Sequence, residues 1–121
     1  MTTQQVAARY YELACQNKWN EIHETLHDEN IVQKEPEHGR PPGIAAVTRG
    51  KEAVKEKSDA HRATIEAIHS RHTSEPLVAG NFFTTALQRD VTYRGRPRVN
   101  SEEIAIIEVK NGKIVSETFF Y

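Results

Sequence analysis

The sequence predicts one α+β domain over residues 1–121, with N-terminal helices packed on a mostly antiparallel sheet. Three observations lead to this fold class. Apolar residues recur at helical spacing in the first half of the chain, and strand-like segments follow one another after Ala63. Between the last two of these segments stands Asn111-Gly112, a strong hairpin signal, because both positions of the favoured two-residue turn need positive φ.

Helical periodicity places three helices, at residues 4–17, 19–26 and 51–61. The first repeats apolar side chains on one face, and Thr2 or Thr3 is available as its N-cap. The second follows after a short polar break and the third follows a glycine. We therefore expect a helical pair at the start of the chain and a separate, half-buried third helix.

The remaining segments are predicted as a turn, a loop and strands. Residues 28–30 supply turn residues, residues 31–35 fit a short strand, and residues 36–43 contain three prolines and two glycines, which is typical of a loop. Later strands are predicted at residues 65–73, 77–93 with possible bends, 99–110 and 113–121.

Composition excludes several classes of protein. The 16 basic and 17 acidic residues give almost no net charge, so we expect no nucleic-acid partner. No apolar run reaches the ~18 residues of a membrane span, and the N-terminus lacks the pattern of a signal peptide. The single cysteine cannot form an internal disulfide and fits a reducing compartment. We expect a soluble, cytoplasmic protein that does not bind a membrane.

Cofactor and metal signatures are weak. The chain has no glycine-rich phosphate loop, no Cys-x-x-Cys pair and no nucleophile elbow. His23 and His27 stand four residues apart and could reach one ion, but no third ligand follows at a suitable spacing. We therefore expect neither a metal nor a cofactor.

Glu35 and Tyr10 form the best candidate for acid–base chemistry. Glu35 precedes Pro36, and a proline biases the residue before it toward extended backbone, which aims the carboxylate off a strand end. A carboxylate moves a proton and a phenol stabilises the oxyanion left behind. The alternative is structural: Glu35 pairs with Arg40 or Arg49, and Tyr10 is a core residue.

The order of elements resembles that of the nuclear transport factor 2-like superfamily, specifically its SnoaL-like branch. The resemblance spans almost the whole chain and rests on four short motifs: Ala8-Arg9-Tyr10-Tyr11-Glu12-Leu13, Lys34-Glu35-Pro36, Arg49-Gly50-Lys51-Glu52-Ala53 and Asn111-Gly112-Lys113-Ile114-Val115-Ser116-Glu117. It implies a curved sheet that forms a conical cavity, and dimerisation through the outer sheet face.

The resemblance extends to the ketosteroid isomerase group, in which a tyrosine and two acids form the site. It implies the tyrosine role for Tyr10 and the base role for Glu35. The second acid is missing, because that position falls on Ile104 or Ala105, and Glu103 replaces it only if Ala105 is the true match, since alternate residues share a face. The full isomerase site is therefore not present.

The resemblance thus implies a small apolar organic ligand in the cone, with isomerase-, cyclase- or dehydratase-type proton transfer at Glu35 and Tyr10. The alternative is a module that binds a ligand without catalysis or associates with another protein. Further ligand-binding candidates are Tyr11, Trp19, His69, Phe82, Glu103 and Ile107. His72 is the alternative to His69, and Phe83 is the alternative to Phe82.

A homodimer is also indicated by the run Ile104-Ala105-Ile106-Ile107. Consecutive apolar residues on a strand require both faces of the sheet to be covered. The helices can cover only one face, so a second subunit is expected on the other.

Overall fold

The computed structural model describes residues 1–121 as three helices and seven strands. The helices are α1 (Thr3–Cys15), α2 (Trp19–Thr25) and α3 (Lys51–Ala63). The strands are β1 (His27–Lys34), β2 (Val47–Arg49), β3 (Ile65–Thr73), β4 (Leu77–Ala79), β5 (Phe82–Tyr93), β6 (Val99–Lys110) and β7 (Lys113–Phe120). All predicted helices and later strands are present, and their bounds shift by at most two residues.

Helix α1 begins with a capping box. The Thr2 hydroxyl accepts a hydrogen bond from the Gln5 backbone N–H at 3.1 Å, and the Gln5 side-chain oxygen accepts one from the Thr2 backbone N–H at 2.9 Å. These reciprocal bonds satisfy two backbone donors that a helix start would leave free. Thr2, not Thr3, is therefore the N-cap. The helix ends before Asn17, whose φ of 57° turns the chain toward α2.

The region before the long loop differs from the prediction. Residues 28–30, expected as a turn, belong to β1, which begins at His27. The pairing of β1 with β7 shifts between His27 and Val32, and this irregularity accommodates the polar residues within the strand. The short strand β2 was not predicted; it pairs antiparallel with the end of β1, where Val32 faces Arg49.

The seven strands form one sheet in the order β2-β1-β7-β6-β5-β3, with β4 paired to β5. All pairs are antiparallel except β1 with β7. The predicted bend falls at Gly80, with a φ of 59°, and separates β4 from β5. In the β6–β7 hairpin, Asn111 and Gly112 both have positive φ, as the sequence predicted. The mostly antiparallel α+β architecture is confirmed.

The hydrophobic core lies between the helices and one face of the sheet. It contains Val6, Leu13 and Ile22 of the helices and the inward residues of the strands, among them Ala105 and Ile107. Their neighbours on β6 point the other way and remain open: Ile104 is 50% and Ile106 40% exposed. One chain therefore covers only one face of the apolar run on β6. No helix has the length and apolar character needed to cross a membrane.

Candidate functional site

A cavity of about 380 Å³ opens between the helices and the inner face of the sheet. Every helix except α1 contributes at least two side chains to its wall, and α1 contributes Tyr10. Aromatic and aliphatic side chains line it together with charged and polar ones. A ligand needs polar groups as well as an apolar body to match these walls.

Glu35 lies at the cavity wall directly after β1 and is paired with a lysine. The Lys57 ammonium of α3 donates to Glu35 Oε1 at 3.0 Å and to Gln33 Oε1 at 3.1 Å. The expected alternative partners are elsewhere: Arg40 donates to backbone carbonyl oxygens of its own loop. Glu35 is thus part of an ion pair, but with a residue that sequence reasoning did not identify.

A buried group of polar side chains continues from this pair into the fold. Gln33 Nε2 donates to Glu117 Oε1 at 2.6 Å, and the same oxygen lies 3.3 Å from His27 Nε2. The two Nδ1 atoms of His27 and His23 are 3.2 Å apart, so one carries the proton and the other accepts it. We call the six residues His23, His27, Glu117, Gln33, Lys57 and Glu35 the polar chain; all of them line the cavity.

Two groups of the polar chain, His23 and Glu117, have shifted pKa values. Burial lowers the pKa of His23 to about 4, and the neighbouring His27 adds to this effect. Burial raises the pKa of Glu117, but His27 and the bond from Gln33 lower it by more, so the net shift is downward. Glu117 is therefore a buried carboxylate and His23 a neutral imidazole at neutral pH. No set of three or more His, Cys, Asp or Glu side chains is arranged to hold a metal ion.

Glu103 and Tyr10 line the same cavity in a less polar environment. Burial raises the pKa of Glu103; Arg89 opposes this effect, and the nearby Glu35 reinforces it. The pKa of Tyr10 is raised well above its usual value, chiefly by burial and then by Glu117. Each shift moves the group toward its protonated form, which can donate a hydrogen bond to a ligand oxygen.

Tyr10 also belongs to the hydrophobic core, as its alternative interpretation predicted. Its ring contacts Trp19 and Phe83 edge to face, with centroids 5.9 and 5.4 Å away. These contacts fix the ring in one orientation. The cavity mouth carries a second tyrosine, Tyr121, whose pKa is raised to about 12, first by partial burial and then by Glu35.

The opposite wall is basic. Arg71 of β3 and Arg89 of β5 face each other across the strand pair, and both line the cavity. His61 of α3 lies with its Nε2 atom 2.9 Å from Arg89 Nη1. Burial lowers the pKa of His61 to about 4, and Arg89 and Arg71 contribute to the shift. Glu35 and Glu117 thus line one part of the cavity, the carboxylate wall, and the arginines line another, the basic wall, where Glu103 lies 3.8 Å from Arg89.

Of the predicted site residues, Tyr10, Trp19, Glu35 and Glu103 line this cavity. Glu103 alternates with Ala105 and Ile107, which are buried on the inner face of β6, so Glu103 has the orientation that the Ala105 alignment required. The structure therefore places two carboxylates and a phenol around one space.

Four predicted ligand contacts lie elsewhere. Tyr11 lines a second, smaller cavity of about 170 Å³ between α1 and β3. His69 is exposed and bonds to Thr92 at 2.8 Å, whereas its alternative His72 reaches the cavity. Phe82 is 47% exposed while Phe83 is buried, and Ile107 is fully buried within the core. Strand alternation decides the outcome for His69 and Phe82. Tyr11 lies on another face of α1, and Ile107 faces inward but is enclosed by the core.

Sequence reasoning missed the residues that complete the cavity, among them Gln33, Lys57, Arg71, Arg89 and Glu117. One signal was present: Gln33 stands two positions before Glu35 on a strand and so shares its face. The others lie far apart in the chain. Their meeting depends on the parallel pairing of β1 with β7 and on the placement of α3 over β1, which no local pattern encodes.

Comparisons with known proteins agree with this architecture. Residues 1–121 match the SnoaL-like domain family. A Mesorhizobium loti protein, provisionally described as a SnoaL-like polyketide cyclase, is 32% identical, with 100% of both chains covered and a TM-score of 0.91. A comparison with curated proteins gave no match.

Two more distant structures share the fold. A nuclear transport factor 2-like protein of unknown function from Burkholderia pseudomallei aligns over 98% of this chain and 89% of its own, at 15% identity and a TM-score of 0.79. TerC, co-crystallised with polyporic acid, aligns over 98% of this chain and 90% of its own, at 13% identity and a TM-score of 0.77.

Proposed function

The chain belongs to the SnoaL-like domain family, as the sequence resemblance indicated, and from this premise we propose that it binds a small organic molecule in its cone and moves a proton on it. The reaction class is that of an isomerase, cyclase or dehydratase that needs no cofactor. One observation carries the proposal: Glu35, Glu103 and Tyr10 line a single cavity that is large enough for a small ligand.

The two carboxyl groups are suited to opposite roles because their surroundings differ. Glu35 is the proposed base, since its carboxylate is held by the Lys57 ammonium at 3.0 Å. Glu103 is the proposed acid, since burial favours its neutral form. When the environments of two acids differ in this way, the ionised one can accept a proton and the neutral one can donate a proton.

A balanced proton transfer follows from these roles. Glu35 takes a proton from a carbon next to a carbonyl group, and the C–H electron pair moves into the carbonyl to give an enolate. The Tyr10 hydroxyl and the protonated Glu103 donate hydrogen bonds to the enolate oxygen. Where the enolate is conjugated with a C=C bond, return of the proton from Glu35 to the far end of that dienolate moves the double bond and isomerises the substrate. Where the substrate has a second carbonyl, the enolate carbon attacks it, the first carbonyl re-forms, and the new alkoxide takes the proton from Glu35 as the ring closes.

The test uses 2-tetralone, a bicyclic ketone with acidic C–H bonds, as a probe in deuterium oxide. We expect the native protein to accelerate exchange of its α-protons, measured by proton NMR. Glu35→Gln and Tyr10→Phe should each slow the catalysed exchange by about 10²-fold, which is the size of typical losses of a base or an oxyanion donor.

Glu108→Gln is the matched control, because Glu108 lies on the same strand as Glu103 but does not line the cavity. It should leave the rate unchanged. If the probe binds, as chemical-shift changes of cavity residues would show, but no exchange is accelerated, the protein is a ligand-binding module without catalysis. If Glu35→Gln exchanges as fast as the native protein, Glu35 is not the base.

The proposal includes a homodimer through the outer face of the sheet. Ile104 of β6 pairs in register with Phe120 of β7, and both are about half exposed. Together with Ile106 they form an apolar surface, the outer patch, which a second copy would cover. We also place the protein in the cytoplasm, where its single cysteine suits the reducing conditions.

A further inference from the structure

Two arginines stand directly opposite each other in the cavity wall. Arg71 of β3 and Arg89 of β5 are register partners, and both side chains line the cavity. Like charges directly opposite on neighbouring strands destabilise a sheet. The pair therefore costs stability in the free protein, and an anion placed between or above the two groups would remove that cost.

Only one of these arginines has an acidic neighbour. The Arg89 guanidinium lies 3.8 Å from Oε1 of the Glu103 carboxyl group and 2.9 Å from His61 Nε2. Arg71 instead donates to the side-chain oxygen of Asn17 at 3.0 Å and lies over the Trp19 ring, 5.9 Å from its centroid. These contacts hold the Arg71 guanidinium in place and leave its charge without a carboxylate.

The surroundings of Arg71 are positive. Its pKa is lowered by burial and then by Arg89 and Arg62, so the charged groups nearest to it are cations. The pKa of His61 is lowered as well, to about 4, by burial and then by Arg89, Arg71 and Lys57. His61 is thus neutral at neutral pH and does not add to the charge, but it marks a region of positive potential within the cavity.

We propose that the arginine pair forms an anion-binding subsite of the cone, and that the ligand carries a carboxylate or an ionised enol bound by Arg71. This inference rests on the proposed function, because it names the chemical class of the ligand in that same cavity. A guanidinium group binds a carboxylate through two parallel hydrogen bonds, and Asn17 and Trp19 already orient this one. The ligand's acidic group lies at the basic wall, and its remaining atoms face the carboxylate wall.

Two probes of nearly equal shape test the subsite, 1-naphthoate and its neutral amide, 1-naphthamide. Isothermal titration calorimetry at neutral pH and low salt gives the dissociation constant of each. We expect the native protein to bind naphthoate about tenfold more tightly than naphthamide, as one charge-assisted contact provides. Arg71→Gln should abolish that preference and leave naphthamide affinity within about twofold, and Arg71→Lys should retain part of it.

Arg9→Gln is the control, because Arg9 is an exposed arginine paired with Glu12 outside the cavity. Naphthamide binding with no preference for naphthoate, or a preference that survives Arg71→Gln, overturns the subsite and leaves the proposed function standing. Failure of both probes to bind contradicts the ligand-binding function itself, and the subsite falls with it. Thermal unfolding of Arg71→Gln, followed by circular dichroism, verifies that the variant is folded.

Discussion

At the level of single residues, Glu117 carries the most demanding charge in the fold. Its side chain is only 4% exposed, and a buried carboxylate is tolerated only when paired and hydrogen-bonded. Gln33 and His27 supply those contacts. His23, next in the polar chain, stays neutral chiefly because it is buried, and the neighbouring His27 adds to the effect on its pKa.

Acid should destabilise the protein through its buried histidines. The pKa of His23 is lowered from 6.5 to about 4, so between these values the unfolded chain binds a proton that the native protein does not. The free energy of unfolding should therefore fall as the pH drops from 6.5 to 4, by on the order of 2–3 kcal/mol for His23. Glu117, whose folded pKa is lowered, adds a loss only below its unfolded value of about 4.5.

Urea unfolding at a series of pH values measures this dependence. His23→Gln should flatten the slope between pH 6.5 and 4, although His61, whose pKa is also about 4, keeps part of it. His38→Gln is the control, because His38 is exposed in the loop. A slope in His23→Gln equal to that of the native protein would show that His23 titrates normally in the fold.

Sequence reasoning about single residues succeeded where a residue's neighbours are local. Glu35 and Tyr10 reach the cavity because one follows a strand and the other lies on the inner face of a helix. Phe82 was assigned to the ligand although a one-residue shift in register decides its face, and Ile107 faces inward but lies within the core. Lys57 and Arg71 were overlooked because their roles depend on which distant strands and helices they meet.

At the level of secondary-structure elements, boundaries were predicted best where the backbone signal is specific. The β6–β7 turn is correct because Asn111 and Gly112 tolerate positive φ. The start of β1 was wrong because Asp28, Glu29 and Asn30 are common in turns. Pairing of β1 with β7 on both sides of these residues, at His27 and again from Val32, overrides that preference and keeps them in the strand.

The start of α1 offers a test of local stability. Thr2→Ala removes the side-chain acceptor of the capping box and should lower the free energy of unfolding by about 1 kcal/mol. Thr3→Ala is the matched control: it replaces a neighbouring threonine that is inside the helix, where alanine is favourable, so it should cost nothing. Chemical unfolding compares the two variants, and equal losses would contradict the role of Thr2 as the N-cap.

For the whole molecule, the curved sheet has two faces with different uses. The inner face bears the core and the cavity, and the outer patch leaves Ile104 and Ile106 half exposed. The sequence predicted that both faces of the apolar run on β6 are covered. Within one chain, the helices cover the inner face only. The number of helices and the order of the elements along the chain, apart from β2, could be anticipated from the sequence. Whether a second copy covers the other side depends on a surface formed by several strands.

We expect gel filtration with light scattering to give the mass of a dimer at micromolar concentration. Ile104→Lys should shift the protein toward the monomer, because a charge in the centre of an apolar interface is costly. Val99→Lys is the control, since Val99 is similarly exposed at 43% on the same strand but alternates onto the opposite face. A monomer in the native protein, or equal dissociation in both variants, would exclude this interface.

The position of β7 has a consequence for how the protein matures. This strand is formed by residues 113–120, yet it lies in the middle of the sheet, between β1 and β6. During synthesis on the ribosome, β1 emerges early and has no neighbour on that side until the last strand has left the exit tunnel. The carboxylate wall of the cavity, which needs Glu117 beside Gln33, is therefore completed only after translation has passed residue 120.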